Sequence, residues 1–415
     1  MKKVKDKQIF HILYIILTIF VIFDTTRSMI IMPKVLFIIT SLIKEALGVS
    51  IFAFILLKRK MKTNKKILIY QMILIYFIVI SSFFSLFNKI DLKDNFVAMY
   101  NYVLLPIYVY IYWHYDYMTN QKYIILYKIY IYGNLLLFLF SFVAYIFKFP
   151  FFYYSYANRI SIGNPSVTSF SYLICFFSFI YYEDIFNYSK YVRLIIKLLF
   201  LIAILLTISS TAIFSLGFIS FILIFLKHRN KIIKSYKKLI LFFILLGIGI
   251  TYFYNKEILG IFDYFMLRLD DLIRLIKIKL KIEKTYLLTK SYSIRENQFS
   301  NLLIGIKRSG LIYYIFGLGG ANYLNYTKYL ENQYYAMLGN YGVVGLFLYI
   351  FLLIRNFKFY VYAKNRDNIV LIILTLLMIF YSITLEVMTL YSVVGSYALF
   401  FSISRKGVLS NENSN

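Results

Sequence analysis

Runs of about twenty apolar residues recur along almost the whole chain, and this pattern constrains the fold more than any other feature of the sequence. A helix needs roughly 20 largely apolar residues to cross the hydrocarbon of a bilayer. Of the 415 residues, 61% are hydrophobic and 15% are charged, whereas soluble domains have roughly 45–50% and about 25%. The composition excludes a soluble enzyme and a disordered chain, and it predicts an all-α polytopic membrane protein.

Twelve segments are predicted to span the membrane, and the first is interpreted as retained because it lacks a small-residue cleavage site. They are residues 9–24, 35–57, 67–87, 96–113, 123–147, 165–182, 193–208, 211–227, 238–254, 336–354, 368–384 and 387–403. The chain is thereby divided into nine spans within 1–254, a large outer loop at 255–335, and three spans with a cytoplasmic tail within 336–415.

Lysine and arginine are distributed unequally between the connections. If the N-terminus is cytoplasmic, the inner connections carry 25 basic residues and the short outer loops carry 6. Cytoplasmic loops are enriched in Lys and Arg, so this asymmetry predicts that both chain ends lie inside. The formal net charge of +28 is accordingly attributed to topology and to anionic lipid, and not to a nucleic-acid partner.

The connection at 255–335 is about 80 residues long and contains 12 basic and 7 acidic residues. Long loops are exempt from the positive-inside bias, and loops of this size are usually functional. Residues 262–284 are amphipathic and favour a helix lying in the membrane interface, although their end alternates with period two, as a strand would.

Charged residues inside predicted spans are costly and are candidates for function. Lys44 and Glu45 are adjacent in the second span, so they point to different faces and each needs its own partner; a tie between helices is the favoured interpretation. Asp24 and Arg27 favour an interfacial ion pair. Glu386 lies between the last two spans and is a candidate for lining a cavity.

Several basic residues of the outer loops are candidate anion ligands. Arg159 precedes a Gly-Asn-Pro turn at 163–165, whose backbone amides and neighbouring guanidinium suit a phosphate. Arg295 and Arg308, with Lys307 beside it, are the natural anion ligands of the long loop. A solvated arginine on a capped loop is the alternative interpretation.

Two further elements of the long loop are candidates for a site. Gly317 and Gly319 do not match a dinucleotide fingerprint and are interpreted as a tight turn that lets backbone approach a ligand. Glu331 and Asn332 begin the helix of the tenth span, where a carboxylate near the positive end of the helix dipole stays ionised and suits a general base. A purely structural cap is the alternative for Glu331.

The sequence predicts no metal and no cofactor. Its single cysteine, Cys175, excludes an internal disulfide, and three histidines form no zinc-binding pattern with it. The long outer loop contains no compact acidic triad of the kind that binds a catalytic metal.

The arrangement resembles the O-antigen polymerase and O-antigen ligase superfamily of bacterial surface-polysaccharide assembly. An arginine in the late outer loop, Arg295, is followed by YIFGLGG (314–320) and then by ENQYYAMLGNYGVVG (331–345) at the start of a span. Upstream, RISIGNPSVTSFSYL (159–173) and LLTISSTAIFSLGF (205–218) are similar to two further family motifs. These motifs occupy about 60 residues, while the arrangement of spans is similar over most of the chain.

Two departures favour a polymerase over a ligase. Ligases place a histidine where Glu331 stands, and this outer loop has no histidine. At the junction of two spans, many relatives have Ser-Arg where this chain has Ser209 and Ser210. The ligase, which transfers glycan to a lipid or protein acceptor, stays open as the nearest enzyme alternative. A lipid-linked repeat-unit flippase is the non-enzyme alternative, although flippases have short outer loops and two symmetric bundles.

The resemblance implies a GT-C-like glycosyltransferase architecture and metal-independent, inverting glycosyl transfer on the outer face of the bacterial cytoplasmic membrane. The substrate would be an undecaprenyl-pyrophosphate-linked oligosaccharide, and a chain-length regulator is an implied partner. Arg159 and Arg295 would stabilise the pyrophosphate, Glu331 would take the acceptor proton, and Arg308 would be a secondary contact. The sugars and the type of polysaccharide stay open.

Overall fold

The computed structural model describes residues 2–24, 34–59, 67–88, 92–114, 120–147, 165–207, 209, 211–224, 290–319, 332–361 and 366–406. These residues are almost entirely helical and form 13 helices. In chain order the helices are α1 (Lys2–Phe23), α2 (Lys34–Arg59), α3 (Leu68–Asn88), α4 (Leu92–Trp113), α5 (Asn120–Ile146), α6 (Pro165–Tyr182), α7 (Lys190–Leu206), α8 (Thr211–Ile224), α9 (Lys290–Ser309), α10 (Leu311–Phe316), α11 (Gln333–Val361), α12 (Arg366–Thr384) and α13 (Tyr391–Lys406). The predicted all-α fold class is confirmed for this part of the chain.

Each predicted span coincides with a helix, except 238–254, which lies outside the described residues. The last span begins at Tyr391, later than predicted, because Val387–Thr389 form a 3-10 turn. Among the described helices, three are long and apolar enough to cross a membrane: Gln121–Ile146, Gln333–Arg355 and Arg366–Thr384. They indicate membrane association; twelve spans and a GT-C-like architecture stay predictions.

The outer surface of the described bundle is apolar. Large hydrophobic side chains are exposed along α3, α5 and α7, on faces where a soluble protein carries polar groups. In α5 they include Ile125, Leu136, Leu139, Phe140 and Val143. Extended apolar surfaces mark contact with a membrane or another protein, so this surface fits helices surrounded by hydrocarbon.

Polar groups are instead gathered in the interior, where tyrosine hydroxyls join helices. The Tyr14 hydroxyl donates to the carbonyl of Ile111 at 2.8 Å, and the hydroxyls of Tyr70 and Tyr397 lie 2.8 Å apart. Because lipid offers no competing water, such interhelical hydrogen bonds help to specify which helices pack together. The abundance of tyrosine, 43 residues in all, is therefore partly explained by this interior.

Side-chain contacts show which helix ends lie together at one end of the bundle. Lys406 Nζ donates to the Tyr123 hydroxyl at 3.0 Å, and the Tyr182 hydroxyl donates to Asp367 Oδ1 at 2.6 Å. These contacts join the ends of α6 and α13 to the starts of α5 and α12. We call this the basic end, because its described side chains include Lys122, Lys190, Arg193, Arg366, Arg405 and Lys406.

The opposite end of the bundle is formed by the start of α11, the end of α12 and residues 385–390, and we call it the α11 end. There the Asn332 amide donates to the carbonyl of Ile383 at 2.9 Å, and the Thr211 hydroxyl donates to that of Thr384 at 3.1 Å. The described connections that the Lys and Arg counts assign to the inner side lie at the basic end. Those assigned to the outer side lie at the α11 end. Which end faces the cytoplasm stays a prediction.

Candidate functional site

The candidate site is built around the start of α11, at the α11 end. Asn332 is the N-cap: its Oδ1 accepts from the backbone N–H groups of Tyr334 at 2.9 Å and Tyr335 at 3.2 Å. Its Nδ2 donates to the carbonyl of Ile383, which ties the cap to the end of α12. The sequence predicts Asn332 as a substrate ligand; its contacts show a cap that also joins α11 to α12, and the ligand role stays a prediction.

Asn332→Ala is expected to reduce stability by about 1 kcal/mol, the usual effect of losing an N-cap, and to lose the tie to Ile383 as well. Asn332→Asp retains the capping oxygen and is expected to be closer to the natural protein in heat-induced unfolding. If the alanine and aspartate variants unfold at the same temperature as the natural protein, the capping role is contradicted.

A joint between two stretches of backbone lies one to two turns further along α11. The Leu318 N–H donates to the Gly339 carbonyl at 2.8 Å, and the Gly319 N–H donates to the Asn340 carbonyl at 3.0 Å. Gly317 has φ +89°, and a Cβ there would overlap the backbone of Asn340. The close approach that these glycines permit is therefore to α11, while a ligand role for Gly317 and Gly319 stays a prediction.

Helix α11 is broken at the same level. Gly342 has φ 65° and ψ −166°, values outside the helical region, and a Cβ there would overlap the carbonyl of Ile315. Non-helical backbone at membrane depth is tolerated where protein buries it or where it lines a cavity. The break lets residues 315–319 pack directly against the backbone of α11.

Two buried carboxamides on α11 were not singled out by sequence reasoning. Gln333 Oε1 accepts from the Met388 N–H at 2.9 Å, but its Nε2 has no partner among the described residues. Asn340 is fully buried, and neither atom of its amide has a partner within the described part of the chain. The available signal was an amide next to Gly339 in an otherwise apolar span. Such groups are costly to bury unpaired.

The long helix α9 packs against α11 through one face. The Phe299 and Tyr335 rings are stacked with centroids 4.3 Å apart, and a Cβ on Gly339 would lie 2.8 Å from Leu302 Cδ1. Arg295 precedes Phe299 by one turn of α9. Glu331 and Arg159 lie outside the described residues, so the predicted convergence of the three catalytic candidates stays a prediction.

The other predicted anion ligands lie at the far end of α9. Lys307 and Arg308 are in its last turn, where both are exposed. No described carboxylate forms an ion pair with either of them. Cations at a helix C-terminus interact favourably with its dipole, and these two remain accessible to an anionic ligand.

Glu386 lies half-buried at the α11 end. The Tyr102 hydroxyl donates to its Oε2 at 3.3 Å, and the Tyr102 ring packs edge-on against Tyr341 with centroids 5.4 Å apart. Tyr341 in turn stacks on Phe77 at 3.9 Å. Glu386 therefore continues a tyrosine-rich interior around α11; its predicted role in lining a cavity stays open.

Lys44 of α2 also lies toward this end, where it pairs with Asp24 at the end of α1. Lys44 Nζ is 2.7 Å from Asp24 Oδ1 and 4.1 Å from the centroid of the Tyr391 ring. Lys44 thus ties α2 to the end of α1 and the start of α13, as the structural interpretation of this residue predicts. Arg27 lies outside the described residues, so its pairing with Asp24 stays a prediction.

Within the described ranges, no group of three or more His, Cys, Asp or Glu side chains is arranged to hold a metal ion. The described residues bring together a capped helix start, a glycine joint, two buried amides and the face of α9 that carries Phe299 and Leu302. Comparison of the chain with protein-family models and with curated proteins finds no match among either.

Proposed function

We propose that this protein is a polysaccharide polymerase of a bacterial cytoplasmic membrane. It would join oligosaccharide repeat units carried on undecaprenyl pyrophosphate into O-antigen, capsule or exopolysaccharide by metal-independent, inverting glycosyl transfer on the outer face. Twelve spans with both chain ends in the cytoplasm, and the motifs shared with the polymerase and ligase superfamily, belong to the same proposal.

The register of α9 against α11 is the observation that carries the proposal. Phe299 contacts Tyr335, and Leu302, later in α9, contacts Gly339, later in α11. The two helices therefore run in the same direction where they touch. Arg295 lies one turn before Phe299 in α9, and Glu331 immediately precedes the N-cap of α11 in the sequence. This register supports a shared site for an arginine and a carboxylate that are 36 residues apart in the sequence.

The chemistry of glycosyl transfer suits this pair of residues. Breaking the bond between a sugar and pyrophosphate builds negative charge on the leaving oxygen, which a guanidinium in a partly desolvated site stabilises. The acceptor hydroxyl loses a proton as it attacks, and a carboxylate can accept it. Arg295 and Arg159 are assigned to the pyrophosphate, and Glu331 is assigned to the acceptor proton.

Glu331→Gln and Arg295→Ala are each expected to abolish long polysaccharide while single lipid-linked units accumulate. General acid–base catalysis and a desolvated charge contact each contribute about 10²-fold or more to rate. The measurement is the glycan ladder of cells in which membrane insertion of each variant has been verified. Glu331→Asp keeps a carboxylate and should retain part of the activity.

Lys190 is an exposed cation at the basic end. The matched control is Lys190→Ala, which should leave the glycan ladder unchanged. Normal chain lengths with Glu331→Gln or Arg295→Ala would overturn the assigned mechanism. In a cell-free assay, elongation of lipid-linked units alone identifies a polymerase. A requirement for a separate acceptor would identify the ligase instead, and transport without bond formation would identify a flippase.

A further inference from the structure

Helices α9 and α10 form a hairpin alongside α11. Phe299 and then Leu302 of α9 meet Tyr335 and then Gly339, so α9 runs in the same direction as α11 where they touch. After the elbow at Gly310, the chain turns back. It enters the joint described above, in which residues 315–318 meet α11 from Gly342 back to Gly339, so this arm runs antiparallel to α11.

The lengths of the two arms give the level of the elbow along α11. Leu302 contacts Gly339, so these two residues mark the same level. Gly310 follows Leu302 by eight residues, and at the usual helical rise α9 extends roughly 12 Å past that level. Gly310 also lies five residues before Ile315, roughly 7.5 Å beyond the level of Gly342. The second count starts at Gly342 and so does not cross the break in α11, and it places the elbow near the level of Phe347.

This level is deep along a helix that can cross a membrane. Phe347 lies well inside the apolar stretch Gln333–Arg355, away from both of its ends. The hydrocarbon of a bilayer is about 30 Å thick. If α11 crosses the bilayer, as the proposed function requires, the elbow lies within the hydrocarbon and not in an outer loop.

We propose that α9 and α10 form a re-entrant hairpin that lines a water-filled recess open at the α11 end, with Lys307 and Arg308 near its floor as a site for a phosphate-bearing group. This inference rests on the proposed function only for the crossing of α11. It adds a location within the bilayer to two candidate anion ligands that the sequence places in an external loop.

The two arms differ in the side chains that they expose. In α10, Leu311 is 74% exposed and Ile312 is 61% exposed, and Tyr314 and Phe316 are exposed as well. Such side chains suit lipid. The described side chains that α9 exposes are polar except for Ile304. The polar ones are Asn297, Ser300, Asn301, Lys307 and Arg308.

Polar and cationic side chains at this depth require water or a counter-ion. Charged residues in the hydrocarbon region almost always face a protein interior or a water-filled cavity. The exposed face of α9 is therefore assigned to a recess, while α10 faces lipid. A guanidinium and an ammonium that no described carboxylate pairs select an anion, and phosphate oxygens match both. A phospholipid head group and a diphosphate both supply such oxygens, and the unfolding experiment below distinguishes them.

The depth of the elbow can be measured with spin labels, because Cys175 is the sole cysteine and is buried. In a Cys175→Ala background, nitroxides are attached at Ile312→Cys and, as the matched control, at Phe347→Cys, which is 63% exposed at the same level of α11. In nanodiscs, collision with oxygen and with a water-soluble nickel complex should place both labels within about one helical turn in depth. A water-exposed label at Ile312→Cys would overturn the hairpin.

The recess is tested with a charged, membrane-impermeant thiol reagent. Ser300→Cys, on the polar face of α9, should react when the reagent is added on the side of the α11 end only. Ile312→Cys should remain at least tenfold slower. Equal reaction at both positions, or no reaction at Ser300→Cys from that side, would overturn the recess. These readouts do not depend on polysaccharide synthesis, so a normal depth with an inactive enzyme would reject the proposed function alone.

The anion site is tested by heat-induced unfolding of the full chain. In one arm, inorganic diphosphate is added to the protein in phosphatidylcholine nanodiscs. In the other, phosphatidylglycerol replaces phosphatidylcholine. Each change should raise the unfolding temperature. The rise should be at least halved in the Lys307→Gln/Arg308→Gln variant and unchanged in Lys190→Gln. A response to diphosphate alone identifies a diphosphate ligand, and a response to phosphatidylglycerol alone identifies a lipid head group. No response to either, or an equal response in the double variant, would overturn the site.

Discussion

Gly317→Ala is expected to be among the most destabilising single substitutions in the described part of the chain. A non-glycine residue at φ 89° and ψ 176° is strained by about 1–3 kcal/mol. Its Cβ would also overlap the backbone of Asn340 and Tyr341, and relief of that overlap separates two hydrogen-bonded stretches. Each lost hydrogen bond costs about 1 kcal/mol, so we expect a total of about 3 kcal/mol or more.

The measurement is heat-induced unfolding in nanodiscs, together with the rate of proteolysis between α10 and α11. Two other glycines serve to separate the effect of backbone strain from the effect of the Cβ overlap. Gly310 has φ +101° and open space around its Cβ position, so Gly310→Ala should show the strain without the overlap. Gly217 lies within α8 with no atom near its Cβ position, so Gly217→Ala should stabilise by up to about 1 kcal/mol. Equal effects at Gly317 and Gly310 would show that the joint does not determine stability.

Lys44→Met is expected to destabilise the protein by about 3 kcal/mol. The Lys44 side chain is 7% exposed and that of Asp24 is 16% exposed, so solvent screens the pair weakly. Removing one partner of a buried pair deprives the Asp24 carboxylate of an ammonium 2.7 Å away, and such a loss typically costs about 3–5 kcal/mol. The substitution also removes the ammonium from the face of Tyr391, although methionine still fills much of the volume.

The double variant Lys44→Met/Asp24→Leu decides what the pair contributes. Replacing both members of a buried ion pair by apolar groups is often neutral or stabilising. The double variant should therefore unfold at a higher temperature than Lys44→Met, and Lys190→Met at the exposed basic end should show no change. If the double variant is less stable than the single one, the penalty comes from lost packing and not from an unpaired charge.

The positions of the helices were predictable because each depends on a local run of residues. Apolar segments of sufficient length satisfy their backbone hydrogen bonds internally, and this preference is readable without knowledge of neighbouring helices. The same locality explains the errors at the edges. The last helix starts at Tyr391 because residues 387–389 form a 3-10 turn, whose hydrophobicity does not distinguish it from the helix that follows.

The candidate site was less predictable because its contacts join distant parts of the chain. Sequence reasoning identified Lys44 as a residue in need of a partner, but Asp24 became that partner only through the packing of α1 against α2. It identified Gly317 as a place of close approach, but it interpreted the neighbour as a ligand. The break at Gly342 and the buried amide of Asn340 were not predicted, since both depend on what packs against α11.

By itself, the sequence determined that the chain is helical, that many helices have apolar surfaces, and which polar residues are unusual within them. These properties follow from composition and from the short-range geometry of the backbone. Only the tertiary structure decided that Lys44 meets Asp24, that Gly317 meets the backbone at Asn340, and that α9 meets α11 at Tyr335 and Gly339. Each of those choices is a difference in free energy between alternative packings, and that difference exists only when segments far apart in the sequence are brought into contact.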